Sequence, residues 1–254
     1  MMGTAQILAD RTGDVFPNRR VAGIALARHL MPYARRPDLI VLAVPRGGVP
    51  VAYEVARALD APLDVFVVRK LGLPGHVEMA MGAVASGDVV VLNRDMIRTL
   101  GISESEVSRV LKTEQLELKR REHRYRDDRA PAHVTGKTVI LVDDGLATGA
   151  SMVAAIAALR QNQPARLIVA VPIGAPDTCR ALRERADEVV CAVTPEPFYG
   201  VGAWYKDFGQ TTDDEVRTLL HQASRERIWA HARLANRIGN PQFDLRSRDG
   251  DSRP

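Results

Sequence analysis

VILVDDGLATGAS, running from Val139 to Ser151, is the stretch from which the fold of this chain is read. Four apolar residues lead into two adjacent aspartates, Asp143 and Asp144. Small residues and glycines follow, and a helix begins near Ala150. A short continuous apolar run suits a parallel strand buried on both faces. Successive strand side chains point to opposite faces, so both carboxylates reach one ligand only if the backbone turns, and Gly145 permits that turn. Two carboxylates accept hydrogen bonds from two vicinal hydroxyls, such as the 2′ and 3′ pair of a ribose. The segment Gly145, Leu146, Ala147, Thr148 and Gly149 offers backbone N–H groups, and Thr148 adds a hydroxyl. The positive end of the following helix points at the same place. A monophosphate cradle beside a diol cradle fits a 5-phosphorylated ribose.

Acid pairs after apolar strands also occur in Walker B segments and in receiver-domain pockets. A Walker B segment needs a GxxxxGK[ST] loop elsewhere. Here Gly136-Lys137-Thr138 lacks the first glycine, position 131 being Pro, and it precedes a strand instead of following one. A receiver pocket wants its acid pair after the first strand.

Outward from this motif, strands alternate with helices. Asn18 is placed to cap a helix through about Met31, with Val21, Ile24, Ala27 and Leu30 on one face. Pro32 and Pro37 end it. LIVLAV (39–44) reads as a buried strand, followed by PRGGVP and the helix VAYEVARAL. LDVFVV (63–68) reads as a second strand ending in Arg69-Lys70. After the acid-pair motif come a helix to about Gln161, a strand at 166–171, a helix at 176–185, a strand at 188–193 and a helix from Asp213 to about Ala235. This alternation predicts an α/β fold with a doubly wound parallel sheet, in which ligands sit at the carboxyl ends of the strands.

The rhythm breaks between residues 71 and 135. GLPG (72–75) reads as a loop, 80–92 as a hairpin turning at Ser86-Gly87-Asp88, and 103–127 as a long charged helix. Ser103 and Glu106 fit a capping box, and Val107, Val110, Leu111, Leu118 and Tyr125 form a narrow apolar stripe. Residues 1–238 are expected to form a single domain, with 71–135 as a flexible-loop and helical insertion, 195–210 as a hood and 239–254 as a disordered tail.

At 254 residues the chain can bury an ample core, and its 46% hydrophobic and 26% charged residues are those of an ordinary globular protein. A net charge of +4 is mild; it permits a phosphate-rich ligand and requires no nucleic acid. MMGTAQILADRTGD lacks the basic start and apolar run of a secretion signal, and no stretch has the length of a membrane span. A cytoplasmic protein is expected. Cys179 and Cys191 fit no metal-site spacing and read as two half-buried thiols of a reducing compartment.

The motif resembles the hallmark of the type I phosphoribosyltransferase family: an apolar strand, two acids, and a small loop carrying Thr-Gly. VILVDDGLATGAS matches it nearly position for position, with Ser151 where threonine is commoner. The resemblance covers about residues 39–210. It implies a transferase that binds Mg²⁺ and phosphoribosyl pyrophosphate (PRPP) and exchanges pyrophosphate for a nitrogenous base, as in nucleotide salvage. Asp143 and Asp144 would hold the ribose and stabilise an oxocarbenium-like transition state electrostatically. Pro45-Arg46-Gly47-Gly48 looks like the pyrophosphate loop, often with a non-proline cis peptide; its glycines let backbone approach, and Arg46 offers a fork of donors. Arg69 and Lys70 would neutralise the leaving group, Lys70 taking a catalytic part. Mg²⁺ would bind PRPP and water with no direct protein ligand.

Pro197 to Gln210 resembles the family's hood, where Phe198, Trp204 and Tyr205 would stack on a base and Asp207 would accept from it; equally, these aromatics could close the edge of the core. Members acting on 6-oxopurines usually carry a lysine near Val171-Pro172-Ile173, which weakens a hypoxanthine–guanine assignment. The end of the long helix, KRREHRYRDDR, offers Tyr125 or Arg126 as a cap on pyrophosphate, although a solvated face is the preferred reading. The resemblance also implies a homodimer. The rival reading is a non-catalytic PRPP-sensing regulator that binds nucleic acid; sparse aromatics in the basic helix argue against that partner.

Overall fold

The computed structural model describes residues 15–73, 76–127 and 129–239; side chains at 76–79 and beyond 228 lie outside that description. The expectations for the N-terminal MMGTAQILADRTGD, for the tail 240–254 and for Pro74-Gly75 of the GLPG loop fall outside the described residues. Five parallel strands form the main sheet in the order β2-β1-β6-β7-β8: β1 (Leu39–Ala43), β2 (Leu63–Val65), β6 (Thr138–Val142), β7 (Arg166–Ile173) and β8 (Glu188–Val193). β1 and β6 lie side by side in a register that pairs Leu39 with Thr138 and Ala43 with Val142.

Both strands are buried on both faces, so alternate residues feed two cores. Leu39, Val41, Ala43, Ile140 and Val142 face one core, together with α1 (Arg19–Leu30), α2 (Gly48–Leu59) and α7 (Asp213–Gly239). Ile40, Leu42, Val139 and Leu141 face the other, with α5 (Ala150–Gln161) and α6 (Pro176–Leu182). The chain leaves β1 towards β2 on one side, while β6 continues to β7 and β8 on the other. The order therefore reverses between β1 and β6, and a crevice opens beyond their carboxyl ends at such a switch point.

α1 is capped as expected, with the Asn18 side chain accepting from Val21 N–H at 3.0 Å. Its buried face is the expected one only at Ala27 and Leu30. Ala22, Gly23, Leu26, Ala27 and Leu30 are buried, while Val21 and Ile24 are exposed. The reason is close approach to α2: a Cβ on Gly23 would lie 2.6 Å from the carbonyl oxygen of Val51. Small residues let two helix backbones meet, so the contact face is not the most apolar one.

The run LDVFVV is not one strand. β2 stops at Val65, and a separate antiparallel sheet begins with β3 (Val68–Leu73), followed by β4 (His76–Ala85) and β5 (Val89–Leu92). Phe66 N–H still bonds to Ala43 O of the main sheet at 2.8 Å, whereas Val67 N–H bonds to Ser86 Oγ at 3.0 Å. The chain changes sheets at that peptide. Gly72 and Leu73 of the expected GLPG loop belong to β3. α3 (Arg94–Thr99) and α4 (Glu104–Arg126) complete this part, which is built of regular elements among the described residues. The Ser86-Gly87-Asp88 turn joins β4 to β5 as expected.

The capping box of α4 is present: Ser103 N–H donates to Glu106 Oε2 at 3.0 Å and Glu106 N–H donates to Ser103 Oγ at 3.3 Å. Ser103→Ala should cost about 1 kcal/mol, which is about 2–4 °C in Tm for a domain of this size. An unchanged melting curve would show that the first turn of α4 contributes nothing to global stability.

Cys179 and Cys191 are joined in a disulfide between α6 and β8, against the reading of two free thiols. Gly174 makes room for it, since a Cβ there would lie 2.4 Å from Cys179 Sγ and 3.4 Å from Cys191 Sγ.

Candidate functional site

The crevice at the switch point is built by two loops that touch. The loop after β1 turns through Pro45-Arg46-Gly47, where the Pro45–Arg46 peptide is cis, and closes with Gly48 N–H donating to Val44 O at 3.1 Å. A Cβ on Gly47 would lie 2.0 Å from Asp144 Oδ2, and one on Gly48 would lie 2.7 Å from Val142 O and 2.9 Å from Asp143 Cα. The two glycines thus let this loop pack directly on the acid pair. Gly47 itself has φ −59°, so the need there is for space and not for an unusual backbone.

The acid pair ends β6. Asp144 N–H donates to Asp143 Oδ1 at 2.8 Å. Burial, and then the charge of Asp144, push the Asp143 carboxyl well above the usual carboxylate range; the Asp144 N–H and Arg19 act against that. Gly145 has no room for a side chain: a Cβ would lie 2.5 Å from Val201 and 2.8 Å from Ile173.

Beyond it, Leu146 does not serve the cradle. Its side chain is buried and its N–H is taken by Ile173 O at 2.9 Å. Ala147 and Thr148 are exposed, Gly149 has φ +70° at the start of α5, and no hydrogen bond among the described residues takes the N–H groups of these three. Ser151 is exposed one residue into α5. Thr178 of α6 braces the loop by donating to Ala147 O at 2.6 Å.

One side chain at the centre of the site was not foreseen. Arg19 Nε donates to Asp144 Oδ2 at 2.8 Å, and Arg19 Nη1 donates to Gly209 O at 2.6 Å. A signal for it exists: two arginines follow the Asn18 cap with no acid in the first turn, although cations at a helix N-terminus oppose the helix dipole.

The remaining expected residues divide. Arg46 lies 3.6 Å from Asp213, which also pairs with Arg124 at 3.1 Å and accepts from Tyr125 OH at 2.9 Å. Tyr125 is therefore buried against Asp213, its phenol pushed up to about 12 by burial first and Asp213 second, and is no free cap. Arg126 is buried too, bound to Asp64, Glu122, Ser86 and the Val65 carbonyl. Tyr125 keeps to the expected apolar stripe, whereas Arg126 departs from a solvated helix face. Arg69 and Lys70 lie inside β3 of the second sheet, not at the end of a parallel strand. Arg69 is paired with Glu114 of α4 at 2.7 Å, while Lys70 is exposed and pairs with no described residue.

In the hood, Tyr205 is buried between Phe16 and Phe208, with ring centroids 5.8 Å and 5.0 Å away, and its hydroxyl donates to Asp144 O at 2.6 Å. Phe198 and Trp204 pack on the same small cluster. These aromatics close the core's edge, the second of the two readings. Asp207 is exposed, accepts from Gly209 N–H at 3.0 Å, and lines a polar cavity of about 410 Å³ with Arg19, Arg20, Gln210 and Glu215.

Known proteins show which family the chain resembles. The family model for the phosphoribosyl transferase domain matches residues 17–203. Two Mycobacterium tuberculosis proteins, from strains CDC 1551 and H37Rv, carry the provisional name phosphoribosyl transferase; each is 43% identical over 212 residues, 84% of this chain and 48% of theirs. The chain thus spans about half the length of these relatives. The crystal structure of TT1426 from Thermus thermophilus is 45% identical, covers 81% of this chain and 97% of its own, and superposes with a TM-score of 0.73. Among the described residues, no helix is long and apolar enough to cross a membrane.

Proposed function

Since this chain belongs to the phosphoribosyl transferase family, we propose that it transfers 5-phosphoribose from PRPP to a nitrogenous base and releases pyrophosphate, with Mg²⁺ required. The observation that carries this reading is the contact between Gly47 and Asp144, which joins a glycine loop to an acid pair at a sheet switch point. In this reading Asp143 and Asp144 hold the ribose hydroxyls and face the positive charge that develops on the ring. Ala147, Thr148 and Gly149 take the 5-phosphate through free N–H groups at the head of α5. Arg46 and the loop amides face the pyrophosphate. Lys70 and Arg69 are second to Arg46 in this role, because both lie within β3 of the second sheet and not in the loop that packs on the acid pair.

Among the described residues, no group of three or more His, Cys, Asp or Glu side chains is arranged to hold a metal ion. A Mg²⁺ ion held by PRPP oxygens and water, supplying charge neutralisation to the diphosphate, fits that donor set. In this reading the base enters at the hood, where exposed Asp207 accepts from it and Phe198, Trp204 and Tyr205 form the wall behind. A cytoplasmic salvage enzyme, with residues 1–238 as one domain acting as a homodimer, completes the proposal.

The test is pyrophosphate release from Mg²⁺ and PRPP with a pooled panel of purines and pyrimidines. Base-dependent release, lowered about a hundredfold by Asp144→Asn, is the expected result. Calorimetric PRPP binding without release from any pool would instead favour the PRPP-sensing regulator.

A further inference from the structure

Arg19 touches all three parts of the site. It bonds Asp144 at 2.8 Å and the hood carbonyl of Gly209 at 2.6 Å, and its Nε lies 3.3 Å from where a Cβ on Gly47 would be. Its guanidinium carbon sits 4.0 Å from the Phe208 ring centroid and 5.9 Å from that of Tyr205. The Arg19 and Asp144 side chains are only 12% and 16% exposed.

Holding the N-terminal segment to the hood does not require this arginine. Backbone bonds already do that: Phe16 N–H to Trp204 O at 2.8 Å, Lys206 N–H to Phe16 O at 2.8 Å, and Asp207 N–H to Pro17 O at 3.1 Å. Nor is a buried ion pair by itself a strong source of stability, since desolvation offsets the attraction. The placement at a helix N-terminus adds a further cost. What the arginine alone achieves is to occupy one named oxygen of Asp144, Oδ2, and leave the other for a hydroxyl.

We infer that Arg19 is a positioning residue of the acid pair, fixing the orientation of Asp144 and tying it to the hood. It acts through Asp144 and is not itself a catalytic residue. Among the described residues, the charged and titratable groups that face Asp143 are Asp144 beside it, Arg19 from α1 and Tyr205 from the hood. Arg19 is the one cation among them, and its charge opposes the upward push that burial and Asp144 exert on Asp143. Removing it leaves two adjacent carboxylates in a poorly hydrated crevice. One of them then holds its proton to higher pH and Asp144 loses its fixed rotamer.

The inference rests on the phosphoribosyl-transfer reading only for its kinetic arm, so two measurements separate them. The first follows the aspartate carboxyl carbons by NMR across pH in the ligand-free wild type, Arg19→Lys, Arg19→Gln and Arg19→Ala. The Asp143 carboxyl should titrate at higher pH in Arg19→Ala and Arg19→Gln, and nearer to wild type in Arg19→Lys. Should Arg19→Ala fail to fold, the Gln and Lys variants carry the comparison.

The second measures pyrophosphate release against pH. KM for PRPP should rise about tenfold in Arg19→Gln, and the acidic limb of kcat/KM should move to higher pH in step with the carboxyl titration. Arg19→Lys should recover most of the limb and little of KM, because lysine keeps the charge without the fork. Carboxyl titrations identical in all four proteins would overturn the inference. So would a lowered melting temperature accompanied by a wild-type pH profile, which is what a purely structural latch gives. If the titrations shift while the wild type neither binds nor consumes PRPP, Arg19's hold on the pair stands and the transferase reading fails.

Discussion

Gly47→Ala is expected to lower pyrophosphate release by about 10³-fold while leaving the chain folded. The added methyl carbon would sit 2.0 Å from Asp144 Oδ2 and 2.7 Å from its carboxyl carbon, well inside van der Waals contact. Something has to move, and each available movement damages the site. If the Asp144 side chain rotates away, it loses the 2.8 Å bond to Arg19 and presents the wrong oxygen to the ribose. If the loop retreats, Arg46 and the loop amides leave the position they share with the acid pair, and a displacement of about 1 Å at reacting groups costs about a hundredfold.

The backbone gives alanine no difficulty, because Gly47 has φ −59° and ψ −32°; the effect comes from contact alone. Gly101→Ala is the matched control. It has φ +63° and nothing within 4 Å, so alanine there strains the backbone at the surface by about 1 kcal/mol and should leave turnover unchanged. Steady-state kinetics, with circular dichroism to verify folding, make the comparison. Equal turnover in Gly47→Ala and wild type would mean that the loop and the acid pair do not act on one ligand.

The same contact explains why the heart of the site was legible in the sequence. An apolar strand, an acid pair and a glycine turn are local features, and the second glycine loop follows another apolar strand of the same kind. What was not legible depends on neighbours distant in sequence. LDVFVV reads as one strand because Phe66 and Val67 continue its apolar run, yet the chain changes sheets between them. Only pairing partners reveal that break, and with it the displacement of Arg69 and Lys70.

In α1 the burial of Ala22 and Gly23 over Val21 and Ile24 follows from close helix packing, which a pattern based on hydrophobicity misses. The hood aromatics are as consistent with stacking on a base as with packing on Phe16 until that residue is seen opposite them. Arg19 was the costliest omission. Its partner Asp144 is 125 residues away, and the local sign was an unfavourable charge at a helix start and not a recognised motif. The disulfide likewise joins two unremarkable cysteines twelve positions apart, brought together because α6 and β8 share Gly174 as a common wall.

Arg126→Ala should destabilise the fold by about 3–5 kcal/mol, the cost of removing one partner from a buried ion pair. At about 2–4 °C per kcal/mol, the melting temperature should fall by about 10 °C. The residue ends a helix so rich in charge that a solvated face is the natural reading, yet its side chain is only 3% exposed. Its Nε donates to both Asp64 oxygens at 2.9 and 3.1 Å, its Nη1 to Glu122 at 2.7 Å, and its Nη2 to the Val65 carbonyl. Asp64 also accepts from Ala132 N–H at 2.9 Å and Val65 N–H at 2.8 Å.

One guanidinium therefore joins the edge strand β2 to the end of α4, and its partner Asp64 in turn holds the segment that leads into β6. Without it the Asp64 carboxylate keeps its amide donors but loses its only bonded cation among the described residues, and the Val65 carbonyl is left buried. Arg126→Lys should recover part of the loss, since one ammonium cannot replace a fork spread over four acceptors. The double variant Arg126→Ala with Asp64→Asn separates charge from packing. If the unpaired carboxylate is the main penalty, the double variant should be less destabilised than the sum of the two singles, by more than about 1 kcal/mol in urea unfolding. Strict additivity would assign the loss to the cavity left by the side chain and would remove any reason to regard the end of α4 as electrostatically fastened to the parallel sheet.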